Sequence, residues 1–226
     1  LLSGQMDGLM WRLNGVAANV ANANTPGFKR NVTNFRAVLR EATGESQLRP
    51  MGSLDLSPGD IRQTGRTLDL ALRGDGYFVL ETPSGPRYTR RGRMLLNDQG
   101  ELIDNAGNRF ASENGSLQIP PNANQVTVTT SGEVKADGQS LGKIMTVTIP
   151  EPDKLRRAGH GLLRNTGEQA RASEETTVVQ GAVENSNVRP VQEMVEMIEI
   201  MRAYQGAARI KKRMGALRRE LTQKIT

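Results

Sequence analysis

The sequence predicts an α+β protein in which terminal helices form a coiled-coil-like region and a central antiparallel all-β domain lies between them. Three observations predict it. Leu2, Met6, Leu9, Leu13, Val16, Val20 and Ala23 are spaced 4, 3, 4, 3, 4, 3, the a/d rhythm of a helix in a coiled coil. Met194, Ile198, Met201, Gln205 and Ala208 repeat that rhythm near the other end. Between them the apolar period falls to two, in short runs broken by Gly, Pro and Asn. A seam this narrow buries little until another helix covers it, so each end requires a partner, either the other end or a second copy.

The first helix is expected from about Ser3 to Asn22, although Gly8 and Gly15 each weaken it by roughly 1 kcal/mol relative to Ala. Asn24-Thr25-Pro26-Gly27 is a stop, because Pro26 cannot continue a helix and Gly27 allows a reversal. Phe28 is the apolar residue beyond the turn. Val32, Phe35, Val38 and Leu39 then suggest a second helical piece over Asn31–Ala42. Gly44–Gly65, rich in Ser, Gly and Pro, is expected to be an extended, loosely structured connector.

Leu68, Leu70 and Leu72 alternate with Asp69, Ala71 and Arg73, the pattern of a half-buried strand. Gly74-Asp75-Gly76 turns the chain, Pro83-Ser84-Gly85-Pro86 marks a hairpin, and Asp98-Gln99-Gly100 and Asn105-Ala106-Gly107-Asn108 supply further reversals. Val126 to Thr130, Glu133 to Lys135, Lys143 to Ile149 and Thr176 to Ala182 complete the strands. The last helix opens at Ser186, with Asn187 placed to cap it and Pro190 in its first turn. Glu193, Glu196 and Glu199 precede the bases, in the sense of the helix dipole. After Ala208 the seam slips and resumes at Ile210, Met214, Leu217, Leu221 and Ile225. The expected organisation is an amino-terminal helical segment (1–43), a connector (44–66), a β-domain (67–185) and a carboxy-terminal helix (186–226).

Composition narrows the chemistry. The 226 residues include no Cys, which removes disulfides and thiol chemistry. They contain no apolar run long enough to insert in a membrane, and the first residues lack the layout of a cleavable leader. From Arg209 to Thr226 seven basic side chains face one acid, Glu220, a net +6 equal to that of the whole chain. Such a tail raises a second class of function, nucleic-acid binding. No aromatic residue lies in it to stack on bases, so a solvated face or an acidic neighbour is the better reading. His160 is the only histidine and has no Cys or His partner, and Glu193, Glu196 and Glu199 lack the Glu-x-x-His pairing of a carboxylate metal bundle. Asp98 and Asp104 lack calcium-loop spacing, and Gly74-Asp75-Gly76 is too short to cradle phosphate. No catalytic set, metal site or cofactor site is expected, and the chain is not expected to be an enzyme.

Three stretches carry a resemblance. Ala18-Asn19-Val20-Ala21-Asn22-Ala23-Asn24-Thr25-Pro26-Gly27-Phe28-Lys29-Arg30 resembles the amino-terminal signature of the flagellar axial proteins. Glu184-Asn185-Ser186-Asn187-Val188, with Glu193 to Ile198 and Arg202-Ala203-Tyr204, resembles their carboxy-terminal signature. Leu68 to Leu72 with Gly74 to Phe78, Tyr88-Thr89-Arg90, Ile119-Pro120 and Val126-Thr127-Val128 is similar to the β-domain shared by the FlgF and FlgG rod proteins and the hook protein. Only 39 residues separate Phe28 from Leu68, shorter than is usual in distal rod subunits, which favours the FlgF type over the FlgG type.

The resemblance implies a structural subunit of the proximal rod, exported through the flagellar type III apparatus and assembled with itself and other rod subunits into a periplasmic helical tube that transmits torque. It implies no nucleic acid and no membrane insertion. The distal-rod role is the alternative within the family. The implied assembly residues are Leu9, Leu13, Val16 and Val20 at one end, and Met194, Ile198, Met201 and Tyr204 at the other. Asn22, Asn24, Pro26, Gly27 and Phe28 would fix where the chain leaves the inner tube.

Overall fold

The computed structural model describes residues 2–39, 46–113, 115, 117–173 and 175–225, with side chains described outside 2–3, 35–51 and 218–225. The protein is α+β, with one helix towards each end of the chain and antiparallel strands between. It divides into two compact units. One comprises Leu1–Ala23, Asn31–Ser53 and Val188–Thr226, and the other Asn24–Arg30 and Leu54–Asn187.

In the first unit, helix α1 (Leu2–Ala21) packs against helix α2 (Pro190–Ile225). Arg12 bonds Glu196 and Asn19 bonds Glu193, so advancing along α1 means retreating along α2: the pair is antiparallel. The expected helix over Asn31–Ala42 does not form. Strand β1 (Asn31–Leu39) pairs there with β2 (Ser46–Leu54), which also replaces part of the expected loose connector. Val32, Thr33, Phe35 and Val38 are β-branched or aromatic, and over so short a stretch their spacing fits either period.

The second unit is the β-body. Strand β3 (Ile61–Gln63) is followed by β4 (Leu70–Arg73), β5 (Tyr77–Thr82), β6 (Gly85–Thr89), β7 (Leu95–Leu96), β8 (Leu102–Ile103) and β9 (Arg109–Phe110). A three-stranded meander of β10 (Val126–Val128), β11 (Glu133–Ala136) and β12 (Gln139–Lys143) precedes β13 (Thr146–Thr148). Then come β14 (Leu155–Arg157), β15 (Leu163–Asn165), β16 (Arg171–Ala172), β17 (Thr177–Gln180) and β18 (Ala182–Glu184). The main sheet runs β14-β15-β6-β5-β9-β8-β7, with β13 also pairing β5. The expected single strand Thr176–Ala182 breaks at Gly181, whose φ of 73° diverts the chain. As a result β17 pairs β4 and β18 pairs β3.

Strand β5 shows why the body holds together. Its alternation sends Phe78 and Leu80 into a core with Leu70, Met94, Ile144 and Val178, while Tyr77 and Val79 join Tyr88, Val147, Leu155 and Leu163 on the other face. Phe78 meets Phe110 edge to face, with centroids 5.8 Å apart. The expectation that β4 is half-buried is corrected: Leu70, Ala71 and Leu72 are all buried, because β4 lies inside the body instead of on a solvated face.

Candidate functional site

No helix among the described residues is long and apolar enough to cross a membrane, and no cluster of three ligating side chains could hold a metal ion. Several of the buried polar side chains, Asn19, Lys29, Glu184 and Glu193, lie in the two terminal signatures.

In the helical unit, Asn19 is fully buried on the α1 stripe that also carries Arg12 and the buried Val16. Its amide donates to Glu193 Oε2 at 2.9 Å and to the Asn31 carbonyl at 2.9 Å, while its oxygen accepts from the Asn31 N–H at 2.7 Å. Glu193, expected to serve the helix dipole, is 1% exposed and helps hold α1 to α2. One Asn side chain therefore joins both helices and the start of β1. Leu9, Leu13 and Val20 are half-buried beside it.

The seam read on α2 takes a different direction. Ile200 is buried and Met197 and Tyr204 are half-buried, but Met194, Ile198 and Met201 are 50%, 51% and 45% exposed. Helix α2 thus carries two apolar stripes, and the one with coiled-coil spacing in the sequence faces outward. Arg12–Glu196 and Asn19–Glu193 set a register in which Leu2 lies opposite the neighbourhood of Gly206 to Arg209. From Arg209 to Leu217 every residue of α2 is exposed.

In the β-body, the segment Asn24–Arg30 is fastened to the last strand. The N–H of Gly27 donates to the Glu184 carbonyl at 2.7 Å. Gly27 has a φ of 66°, and an added Cβ would lie 2.5 Å from the Arg91 nitrogen, so both conformation and space demand glycine. Glu184, 1% exposed, is the hub: Oε1 accepts from Lys29 Nζ at 2.7 Å and from the Gly59 N–H at 3.1 Å, and Oε2 accepts from Arg90 at 3.3 Å. Lys29 also donates to the Ser57 carbonyl, and Arg90 to the Leu72 and Gly74 carbonyls while its guanidinium lies 5.0 Å from the Tyr77 ring centroid. Two buried cations thus surround one buried carboxylate. Burial drives the Lys29 amine below its ordinary pKa, against the pull of Glu184.

Phe28 is buried under Arg157, whose guanidinium lies 4.4 Å from its ring centroid and donates to the Lys29 carbonyl at 2.6 Å. Asn187 does not cap α2 as expected. Its Oδ1 accepts from the Arg30 N–H and its amide donates to the Asp55 and Ser57 carbonyls, so it ties three stretches of the body together. Of the expected exit residues, Gly27 and Phe28 are buried, Pro26 is half-buried, Asn24 is exposed, and Asn22 donates back to the Ala18 carbonyl at the end of α1. His160 is exposed in a loop with a φ of 48°, and its carbonyl accepts from Arg91.

Lys29, Arg90 and Glu184 stand in three separate motifs of the sequence, and no spacing between them indicates that they meet. A visible signal is Asn19 itself, polar between the apolar seam positions Val16 and Val20.

These same stretches match models of known families. Residues 11–29 match the flagella basal body rod protein model, 71–136 the flagellar hook protein FlgE/F/G D1 domain, and 179–223 the flagellar basal body rod FlgEFG protein C-terminal model. The chain is 32% identical to a flagellar basal-body rod protein FlgF of Mesorhizobium japonicum, over 92% of this chain and 88% of the relative. It is also 32% identical to a FlgF of Caulobacter vibrioides, over 99% and 95%. The chain belongs to the flagellar basal-body rod protein family. A FlgG of Bacillus subtilis is 31% identical over 91% of this chain and 90% of its own length. Rod proteins are structural subunits of the flagellar basal body, and the role and location expected from the motifs stand. Within this rod protein, the amino-terminal model ends at Lys29 and the carboxy-terminal model contains Glu184, the two ends of one buried ion pair.

Proposed function

We propose that this chain is a proximal, FlgF-like rod subunit that assembles with itself and other rod subunits through the outward stripe of α2. The terminal helices form a coiled-coil-like tube in the periplasm, and torque passes through the packed helices. The chain reaches that place unfolded, through the type III export apparatus. It acts mechanically and is not an enzyme.

The observation that carries this reading is the exposure of Val191, Met194, Val195, Ile198 and Met201 along one helix. Full burial of such a side chain stabilises by about 1.5–3 kcal/mol, so covering the exposed half of Met194, Ile198 and Met201 supplies roughly 1 kcal/mol each on assembly. Heterologous contacts of that kind propagate into filaments.

The test is a triple substitution, Met194→Ser, Ile198→Ser and Met201→Ser. Isolated-protein stability should change by less than roughly 0.5 kcal/mol per site, because these side chains lie on the surface and outside the core. Complementation of a deletion strain should fail, and its basal bodies should lack the completed rod. Normal rods and motility from a well-folded variant would overturn the proposal.

A further inference from the structure

The β-body is electrically neutral as a whole, with 17 basic and 17 acidic side chains in Asn24–Arg30 and Leu54–Asn187. Three of its arginines nevertheless stand side by side on one face. In the β14–β15 pair, Arg156 stands directly opposite Arg164. Strand β15 pairs β6 at Leu163 and Tyr88, so one step along that register sets Arg164 opposite Arg87. Three arginines therefore line up across three adjacent strands, spanning about 10 Å at the ordinary strand spacing. Like charges directly opposed on neighbouring strands are destabilising. Among the described residues none of the three has a carboxylate in ion-pair reach: Arg156 donates to the Asp153 and Leu155 carbonyls, and Arg87 to the Pro86 carbonyl.

One rung further along the same face, Thr89 and Leu162 open into a cleft of about 140 Å³ walled by Arg91, Arg93 and His160. Arg91 is half-buried, and burial holds its guanidinium below the ordinary pKa. Asp104 also lines this cleft, but its carboxylate already accepts from the Ala106 and Asn108 N–H groups and the Asn108 amide. The arginine row and the cleft are continuous.

We infer that this face is a docking site for an acidic protein segment, one carboxylate seated in the cleft against Arg91 and others paired along Arg87, Arg164 and Arg156. The guanidinium fork suits carboxylates, and charge-assisted bonds are about twice as strong as neutral ones. The size of the cleft excludes an organic cofactor, since such pockets run about 300–1,000 Å³. Nucleic acid and glycan are disfavoured because every aromatic ring of the body, Phe28, Tyr77, Phe78, Tyr88 and Phe110, is buried and none can stack on a base or sugar.

The experiment is fluorescence anisotropy of a labelled oligoglutamate peptide with the full chain at low salt. Saturable binding that weakens as salt rises is expected, and Arg87→Gln/Arg156→Gln/Arg164→Gln should weaken it by about tenfold or more. Lys211→Gln/Lys212→Gln/Arg213→Gln, in the basic end of α2, should leave it intact, and single-stranded DNA and heparin should compete no better than oligoglutamate. No peptide binding, binding lost only in the α2 variant, or preference for DNA or heparin would each overturn the inference. Should the triple variant misfold, exposed Arg164→Glu decides: unchanged affinity sinks the site, and a loss of about tenfold supports it.

Discussion

Glu184→Gln is the most informative single perturbation of the β-body. The carboxylate is buried and receives Lys29 at 2.7 Å, Arg90 at 3.3 Å and the Gly59 N–H at 3.1 Å. Gln keeps the volume but removes the buried carboxylate that pairs with two cations, 2% and 3% exposed. It also points an amide NH₂ at one of them. Breaking a buried pair this way costs about 3–5 kcal/mol, because the stranded charge remains desolvated. At about 2–4 °C per kcal/mol for a domain of this size, the melting temperature should fall by about 6–20 °C. Denaturation followed by near-ultraviolet circular dichroism reads the body directly, since Tyr77 lies against Arg90. Lys29→Met should be milder, because it leaves Arg90 and Glu184 as a neutral pair. The double variant should be less damaged than the sum of the singles, by about 0.5–3 kcal/mol. A loss below about 1 kcal/mol for Glu184→Gln, or strict additivity in the cycle, would refute the claim that this network holds the two signatures together.

Two further outcomes follow from the same geometry. Asn19→Asp replaces the amide that donates to Glu193 with a second carboxylate, and should cost the helical unit about 3 kcal/mol or more, against about 1–3 for Asn19→Ala; helical circular dichroism and Trp11 fluorescence report it. Lys29 has its folded pKa below the ordinary 10.5, so between those two values the unfolded chain binds more protons and stability must rise with pH. Tyr77 and Tyr88, with pKa values raised by burial from 10.0, oppose this at higher pH equally in wild type and Lys29→Met. The stability of wild type relative to Lys29→Met should therefore grow as pH approaches 10.5, and urea midpoints that do not diverge would contradict it.

The architecture was largely legible, because its strongest signals are local. Hairpins at Pro83–Pro86 and Asp98–Gly100 announce themselves by turn chemistry, and β5 to β8 form around them. What failed did so where local signals are ambiguous. Asn31–Leu39 carries apolar residues at spacings that serve either period, and its fate was settled by pairing with β2 and by Asn19, twelve residues back. Lys29 and Glu184 are 155 residues apart, and no periodicity or spacing rule links positions so distant. The Leu155–Asn165 hairpin escaped notice because its turn is built on Gly159, His160 and Gly161, three consecutive residues with positive φ, and not on a familiar turn pair.

The two stripes of α2 show how one helix can be both core and surface. Its inner stripe is held by directional groups, Glu193 to Asn19 and Glu196 to Arg12, which fix an antiparallel register. Its outer stripe, Met194, Ile198 and Met201, has apolar side chains only. Polar pairs specify one geometry, whereas apolar contact tolerates small changes in packing. Beyond Ala208 the second helix carries Ile210, Met214 and Leu217 among Arg209, Lys211, Lys212 and Arg213, all exposed. Apolar attraction along that segment is opposed by its own charge until an acidic neighbour arrives, so its association should depend on salt in a way that association through Met194, Ile198 and Met201 does not.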